Sequence, residues 1–266
     1  MKIFSFLLIF FSASTLFAQN NLGARLTAMG NNSAAVTDVW SLQGNPSGIS
    51  SIKEITASIN YAKYLFSNEV SNQSFAFVVP FKNNFAGISF QRYGFSAYNE
   101  NKVGFAYAKK FGDKFTTAIN LNYHQLKISN YGSSKGFSVD VGLLFQLNKQ
   151  LILGAFVANP SQQSFDTSEI LAKIPTSLNI GASYLASDKV LIATTISKIL
   201  KESIDVKVGI DYKIVEFFCL RGGLSANPFK QYVGFGVNYQ KFFLDFATIY
   251  EANLGYARKF YEDVFF

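Results

Sequence analysis

The sequence contains one cysteine, Cys219, and one histidine, His124. A lone cysteine cannot close an internal disulfide. With no neighbouring base to activate it, Cys219 reads as an inert thiol, buried or facing lipid. A single histidine excludes a His-rich metal site and leaves any Ser-His-Asp triad resting on one residue; beside Asn120 and Asn122, His124 reads as a polar inward-facing side chain. Charge is scarce too, at 15% of residues against roughly 25% in soluble domains. The 24 basic residues outnumber the 17 acidic ones but are scattered singly. The patch that phosphate recognition needs is missing, so no nucleic-acid partner is expected. The glycines of GGLSANPF and VGFGVNY do not precede helices, which removes a phosphate-binding loop. Asp205, Asp211 and Asp245 become paired carboxylates only if the fold brings them together; the alternative is inward charges paired with Lys207 and Lys213. The chain therefore reads as a non-enzyme with no cofactor and no metal. Long apolar runs are absent after the first twenty residues, and without the roughly 18 needed for a transmembrane helix, helical spanning is not expected.

Aromatic residues are abundant, with 29 Phe and 14 Tyr, and hydrophobic residues reach 49%. That excess with so little charge points to lipid. A closed β-barrel is the other structure that satisfies its backbone there, and 266 residues suffice for one large all-β domain. A basic excess also suits contact with anionic headgroups. The N-terminus, MKIFSFLLIFFSASTLFAQN, has a basic Lys2, an apolar core from Ile3 to Phe11 and small Ala18. It reads as a secretory signal, residues 1–18, cut before Gln19. No cysteine follows that core, so a lipoprotein anchor is not expected.

Residues 55–266 read as the barrel. Short alternating segments run Ile55–Leu65, Gln73–Phe81, Asn84–Tyr93, Asn101–Phe111, Lys114–Leu126, Lys135–Leu147 and Leu151–Asn159. A second set runs Pro175–Ala186, Val190–Leu200, Asp205–Ile214, Phe217–Ala226, Gln231–Gln240, Phe242–Tyr250 and Ala252–Phe260. About fourteen antiparallel strands of membrane-crossing length result. Val206, Val208, Ile210 and Tyr212 alternate with Lys207, Gly209 and Asp211; Leu178, Ile180 and Tyr184 alternate with Asn179, Gly181 and Ser183. Apolar-out and polar-in is what lipid demands, although a soluble sandwich has the same period with its faces reversed. Tyr61, Tyr93, Tyr107, Tyr184, Tyr212, Tyr239 and Tyr256 lie toward strand ends, where a ring with a hydroxyl suits the lipid–water boundary.

Tight connections at Lys82-Asn83, Gly112-Asp113, Asn148–Gln150, Ser187–Lys189, Val215-Glu216 and Gln240-Lys241 alternate with longer ones at Phe66–Asn72, Gly94–Glu100, Lys127–Ser134 and Pro160–Ile174. Outer-membrane barrels pair short periplasmic turns with longer outer loops, which puts both termini in the periplasm. Pro160–Ile174 is the longest, and reads either as an ordinary surface loop or as a partner contact through Gln162, Phe165, Asp166 and Glu169.

Residues 19–54 do not alternate. They hold the only tryptophan, Trp40, and many small residues, and read as a hatch with turns inside the barrel. Gly23, Gly30, Gly44 and Gly48 permit tight turns, and Pro46 would help end the Trp40 segment. Gly23-Ala24-Arg25, Met29-Gly30, the small-residue run to Asp38, and Asn45-Pro46-Ser47-Gly48 resemble the N-terminal signature of FadL-like outer-membrane barrels, in particular the PorV/PorQ group of the type IX secretion system in Bacteroidota. The departures are Asn31 for a second glycine, Val39-Trp40 where small residues are common, and Ser47 for alanine. The resemblance covers Gly23–Gly48 by motif and the rest by strand number and order. It implies a fourteen-stranded barrel whose N-terminal segment enters the lumen, with Gly23, Arg25, Gly30, Trp40, Asn45 and Pro46 as hatch residues. Two C-terminal aromatics, Phe260 and Phe266, are candidates for the insertion signal it also implies. The expected function is that of an accessory subunit of the type IX translocon, binding the translocon or secreted substrate domains. The alternatives are a FadL-like transporter of hydrophobic small molecules and a subunit sealing the translocon pore.

Overall fold

The computed structural model describes residues 21–64, 69–165, 173–251 and 259–265; the signal segment lies outside them. Fourteen strands follow in order: β1 (Thr56–Tyr64), β2 (Ser71–Phe81), β3 (Asn84–Phe95), β4 (Tyr98–Phe111), β5 (Phe115–Ile128), β6 (Gly132–Gln146), β7 (Leu151–Ala158), β8 (Ser177–Ser187), β9 (Val190–Ile199), β10 (Ile204–Val215), β11 (Phe218–Ala226), β12 (Phe229–Tyr239), β13 (Phe242–Glu251) and β14 (Lys259–Phe265). Each pairs antiparallel with its neighbours, and β14 closes on β1, with Ser58 opposite Phe265 and Tyr64 opposite Lys259. Closure leaves no strand of the ring without two neighbours.

The alternation resolves in favour of lipid. Leu121, Ile180, Val208 and Val233 stand outward, between 46% and 59% exposed. Asn120, Asn122, Asn179 and Ser183 on the same strands are buried. A soluble sandwich would bury the first set. So continuous an exposed apolar surface exceeds what a soluble monomer carries, and hydrocarbon is the solvent that suits it. Tyr93 departs from the expected outer girdle: it shares the parity of buried Gln91 on β3 and faces inward. Tyr256 lies outside the described residues.

Two further expectations need correcting. The last strand is not Ala252–Phe260; residues 252–258 lie outside the described residues, and β14 begins at Lys259. The closing strand must pair with two neighbours, and the registers with β13 and β1 both fall on Lys259–Phe265. Phe260 therefore sits near the start of this strand and does not close it, while Phe266 lies outside the described residues. The connections expected to face outward are also shorter than expected. Only Ser96 and Ala97 separate β3 from β4, and residues 129–131 separate β5 from β6. Gly94 at φ +125 and Asn130 at φ 68 take the left-handed geometry that lets the chain reverse there. The connection from β7 to β8 stays long, and β7 is short, so residues 132–139 of β6 have no β7 partner. The loop turns over that gap: the Asn159 side chain donates to the Gln163 carbonyl at 3.0 Å and the Ile174 carbonyl at 2.9 Å.

The core lies between the wall and the N-terminal segment. That segment has a short helix α1 (Gly23–Ala28) and two 3-10 turns, Val39–Gln43 and Pro46–Ser51. Asp38 caps the first turn, its Oδ1 accepting from Trp40 N at 3.0 Å while Ser41 Oγ accepts from Asp38 N at 3.1 Å. Asn45 caps the second, accepting from Ser47 N at 3.1 Å. Pro46 is thus the first residue of a new turn and does not end the Trp40 segment, because a missing N–H is harmless at that position. Leu26, Met29, Trp40, Leu42 and Ile49 are fully buried against inward Val78, Phe85, Ala106, Ala108 and Ala118. Helix α1 has no side-chain cap and is only six residues long, so packing holds it in shape. It touches β11–β14, while the 3-10 turns touch β1–β6.

Gly23 (φ +72) lies against Trp40, where an added Cβ would overlap the indole. Gly23→Ala should cost about 1–3 kcal/mol of local stability. It is checked by a red shift of Trp40 emission at a lower denaturant concentration than in wild type; an unshifted transition would contradict the contact.

Candidate functional site

The N-terminal segment divides the lumen. On one side is a cavity of about 960 Å³ whose floor includes Leu22, Asn31, Ser33, Gln43 and Gly44. Its walls include Tyr98, Glu100 and Lys102 at the start of β4 and His124 and Leu126 at the end of β5. This vestibule therefore lies at the end of the ring opposite the start of β1. On the other side, near the start of β1, is a crevice of about 490 Å³ between Ser50–Lys53 and Pro80, Phe85 and Lys110.

The vestibule walls are cross-braced. Asp140 accepts from Asn122 Nδ2 at 2.7 Å and from Asn159 N at 3.1 Å. His124 Nε2 lies 2.8 Å from Ser138 Oγ, and the Phe165 ring meets the imidazole edge-on at 6.4 Å. Across the lumen Lys207 lies 3.9 Å from Asp205 and Lys230 lies 3.1 Å from Glu251. The carboxylates do not converge as a catalytic pair: Asp205 is separate, and Asp211 and Asp245 are bridged by Arg221. Of the expected lysine partners, Lys207 pairs with Asp205 but Lys213 turns to Glu216. Among the described residues no group of three or more His, Cys, Asp or Glu is placed to hold a metal. Cys219 is buried.

An alternating ladder of charges fastens the segment to the wall. Arg25 Nη1 lies 2.8 Å from Asp38 Oδ2, and Arg25 Nε lies 3.0 Å from Asp211 Oδ2. Arg221 continues it, 3.1 Å from Asp211 and 2.6 Å from Asp245. Burial works against the Arg25 charge, but Asp211 and Asp38 outweigh it, so its pKa is raised and it stays a cation. Asn45 is a second fastening, its Nδ2 donating to the Ala34 carbonyl at 2.6 Å and across to the Leu143 carbonyl of β6 at 3.0 Å. Gly30 (φ +77) lies against the backbone of Val208 and Leu224. Gly23 and Trp40 pack on each other, and Pro46 approaches Gly142 of β6.

The long loop behaves differently from a presented contact surface. Phe165 turns inward and lines the vestibule, while Gln162 is exposed at φ 53. Asp166 and Glu169 lie outside the described residues. Sequence reasoning missed Asp38 and Gln43 as site residues. Asp38 left a trace, since it and Arg25 are the charged residues of 21–50, and two opposite charges in an otherwise uncharged stretch that must be buried call for pairing. Gln43 left none.

No family model matches the sequence, and no curated protein matches it. Solved structures do match. The toluene transporter TodX of Pseudomonas putida superposes with a TM-score of 0.68 at 10% identity, covering 94% of this chain and 97% of that one. The toluene transporter TbuX of Ralstonia pickettii gives 0.68 at 13% identity over 94% and 98%. A Pseudomonas aeruginosa FadL homologue gives 0.63 at 10% identity over 91% and 96%. At such identities it is the fold that is shared, and the chain has the fold of the FadL-like barrels.

Proposed function

We propose that this chain is an outer-membrane channel of FadL-like type, closed at rest by its N-terminal segment and admitting a small solute to the vestibule above it. One observation carries this reading: a cavity of about 960 Å³, the size of a small-molecule site, has the N-terminal segment itself as its floor. Likeness in fold to the toluene transporters TodX and TbuX supports it. β1 begins, and β14 ends, at the end of the ring where all the tight connections expected from sequence lie, and we place that end, with both termini, in the periplasm. The translocon-subunit and pore-sealing readings draw on the N-terminal motif and on the shortness of the chain and its connections.

The test is solute flux into proteoliposomes of the full chain, run beside a mild-detergent pull-down from native membranes. A channel should pass at least one small solute faster than empty liposomes and come down free of a large partner barrel. Liposomes tight to every solute, together with recovery of a large translocon protein, would replace this reading with the secretion one.

A further inference from the structure

The outward face of β3–β6 has a charge pattern unlike the rest of the wall. At the vestibule end of the ring, Arg92, Asn101, Gln125 and Lys135 stand opposite one another on successive strands, and Lys127 follows two residues beyond Gln125 on β5. Side-chain contacts place them on one face: Asn101 Nδ2 donates to Gln125 Oε1 at 3.4 Å, and Gln125 Nε2 to Ser133 Oγ at 3.5 Å. Among the described residues no carboxylate shares that face. The acids of these strands, Glu100 and Asp140, line the vestibule inside, and the connections Ser96-Ala97 and 129–131 hold none. By contrast, the outward face of β7–β13 carries a single cation among the described residues, Lys198 on β9. A rim that served only to meet water would take carboxylates as readily as cations. Lys127 and Lys135 are diagonal neighbours on adjacent strands, roughly 7–8 Å apart, so their like charges repel unless an anion lies between them.

The cations border directly on apolar surface. Phe90, Val103, Tyr123 and Phe137 form the next row of cross-strand partners toward the middle of the wall, and Phe105 and Leu121 belong to the row after it. Phe105, Leu121 and Phe137 are exposed, and the Tyr123 and Phe137 rings lie 5.3 Å apart. From this we infer that the outward face of β3–β6 binds a phosphate-bearing lipid. Arg92, Lys127 and Lys135 hold the headgroup, Asn101 and Gln125 donate to it, and the acyl chains lie along the apolar rows. With both termini in the periplasm, the lipid belongs to the outer leaflet. A free anion would meet the cations and leave the apolar rows unused, and an uncharged lipid would do the reverse. The inference concerns the outside of the wall and holds whether or not the lumen conducts.

The experiment uses the folded full chain in detergent, with three probes: bis-phosphorylated lipid A, the same lipid with its phosphates removed, and inorganic phosphate. Binding is followed by native mass spectrometry over a lipid titration. Wild type should bind the phosphorylated lipid saturably and the phosphate-free form roughly tenfold more weakly or worse. The double variant Lys127→Gln with Lys135→Gln should lose affinity by roughly the same factor, while Lys198→Gln on the opposite face binds as wild type does. If the double variant loses the heat-modifiable mobility of a folded barrel, Arg92→Gln takes its place and should also weaken binding. Inorganic phosphate should not displace the lipid. Equal affinity for the two lipids, an undiminished affinity in a folded β3–β6 variant, an equal loss in Lys198→Gln, or displacement by inorganic phosphate would each overturn the assignment.

Discussion

Replacing Arg25 with methionine should turn a quiet barrel into one that conducts. Arg25 is the cation between Asp38 on the N-terminal segment and Asp211 on β10, and Asp38 also caps the turn that holds Trp40. Without the guanidinium, two carboxylates remain close together with little solvent between them. Removing one member of a buried ion pair costs about 3–5 kcal/mol, and here the cost falls on docking of the segment, because the wall strands keep their backbone ladders. At about 1.4 kcal/mol per tenfold, the undocked fraction should rise by roughly two to three and a half orders of magnitude. Planar-bilayer recordings would show this as openings far more frequent than in wild type. Arg25→Lys should fall between, since an ammonium cannot reach Asp38, Asp211 and the Thr37 carbonyl in the fork that Arg25 uses. A folded Arg25→Met barrel as silent as wild type would show that the ladder does not hold the closure.

The second large effect is expected at Gly223. A Cβ there would run into the backbone of Met29 and Gly30, atoms that cannot rotate aside as a side chain can. Its neighbour Gly222 points the other way and would meet nothing closer than 3.9 Å. Gly223→Val should therefore dislodge the segment at a cost of about 3 kcal/mol or more, while Gly222→Val leaves it docked. Limited proteolysis reads the difference: cleavage within 21–50 should accelerate in the first variant alone, with both retaining the gel mobility of a folded barrel. Equal protection in the two would mean that the close approach at Gly223 is not what seats the segment.

These two sites also show what the sequence makes legible. The barrel shows plainly because a period-two pattern recurs along the chain: Val206, Val208 and Ile210 against Lys207, Gly209 and Asp211 state both the strand and its faces. The glycines Gly154, Gly181, Gly209, Gly223 and Gly234 fit that pattern as merely small inward residues. Their reason emerges only in three dimensions, where Ala34 lies against Gly154 and Gly181, Met29 against Gly209 and Gly223, and Ala28 against Gly234. Pairings across long separations are similarly hidden. Nothing local to Asp211 tells it from Asp205, yet one meets Arg25 and the other Lys207. The C-terminal strand is misplaced for a related reason: Ala252–Phe260 alternates well enough locally, while the register is imposed by β1 at the far end of the chain. Phe165 follows the same rule, because a loop residue's direction depends on the gap left by a short β7.

The pairing of Ser58 with Phe265 sets an order of events. The residues that fill the ring precede β1 in the chain, and the ring is completed by the pairing of β1 with β14, thirteen strands later. Loop closure over so long a separation is slow and entropically costly, so the N-terminal segment has a long interval in which to settle onto the growing wall before the final seam forms. Once the seam is made, the segment is enclosed on all sides by hydrogen-bonded strands. Assembly would then be a wrapping of the wall around a core already in position, with the core acting as a template for the curvature of the sheet.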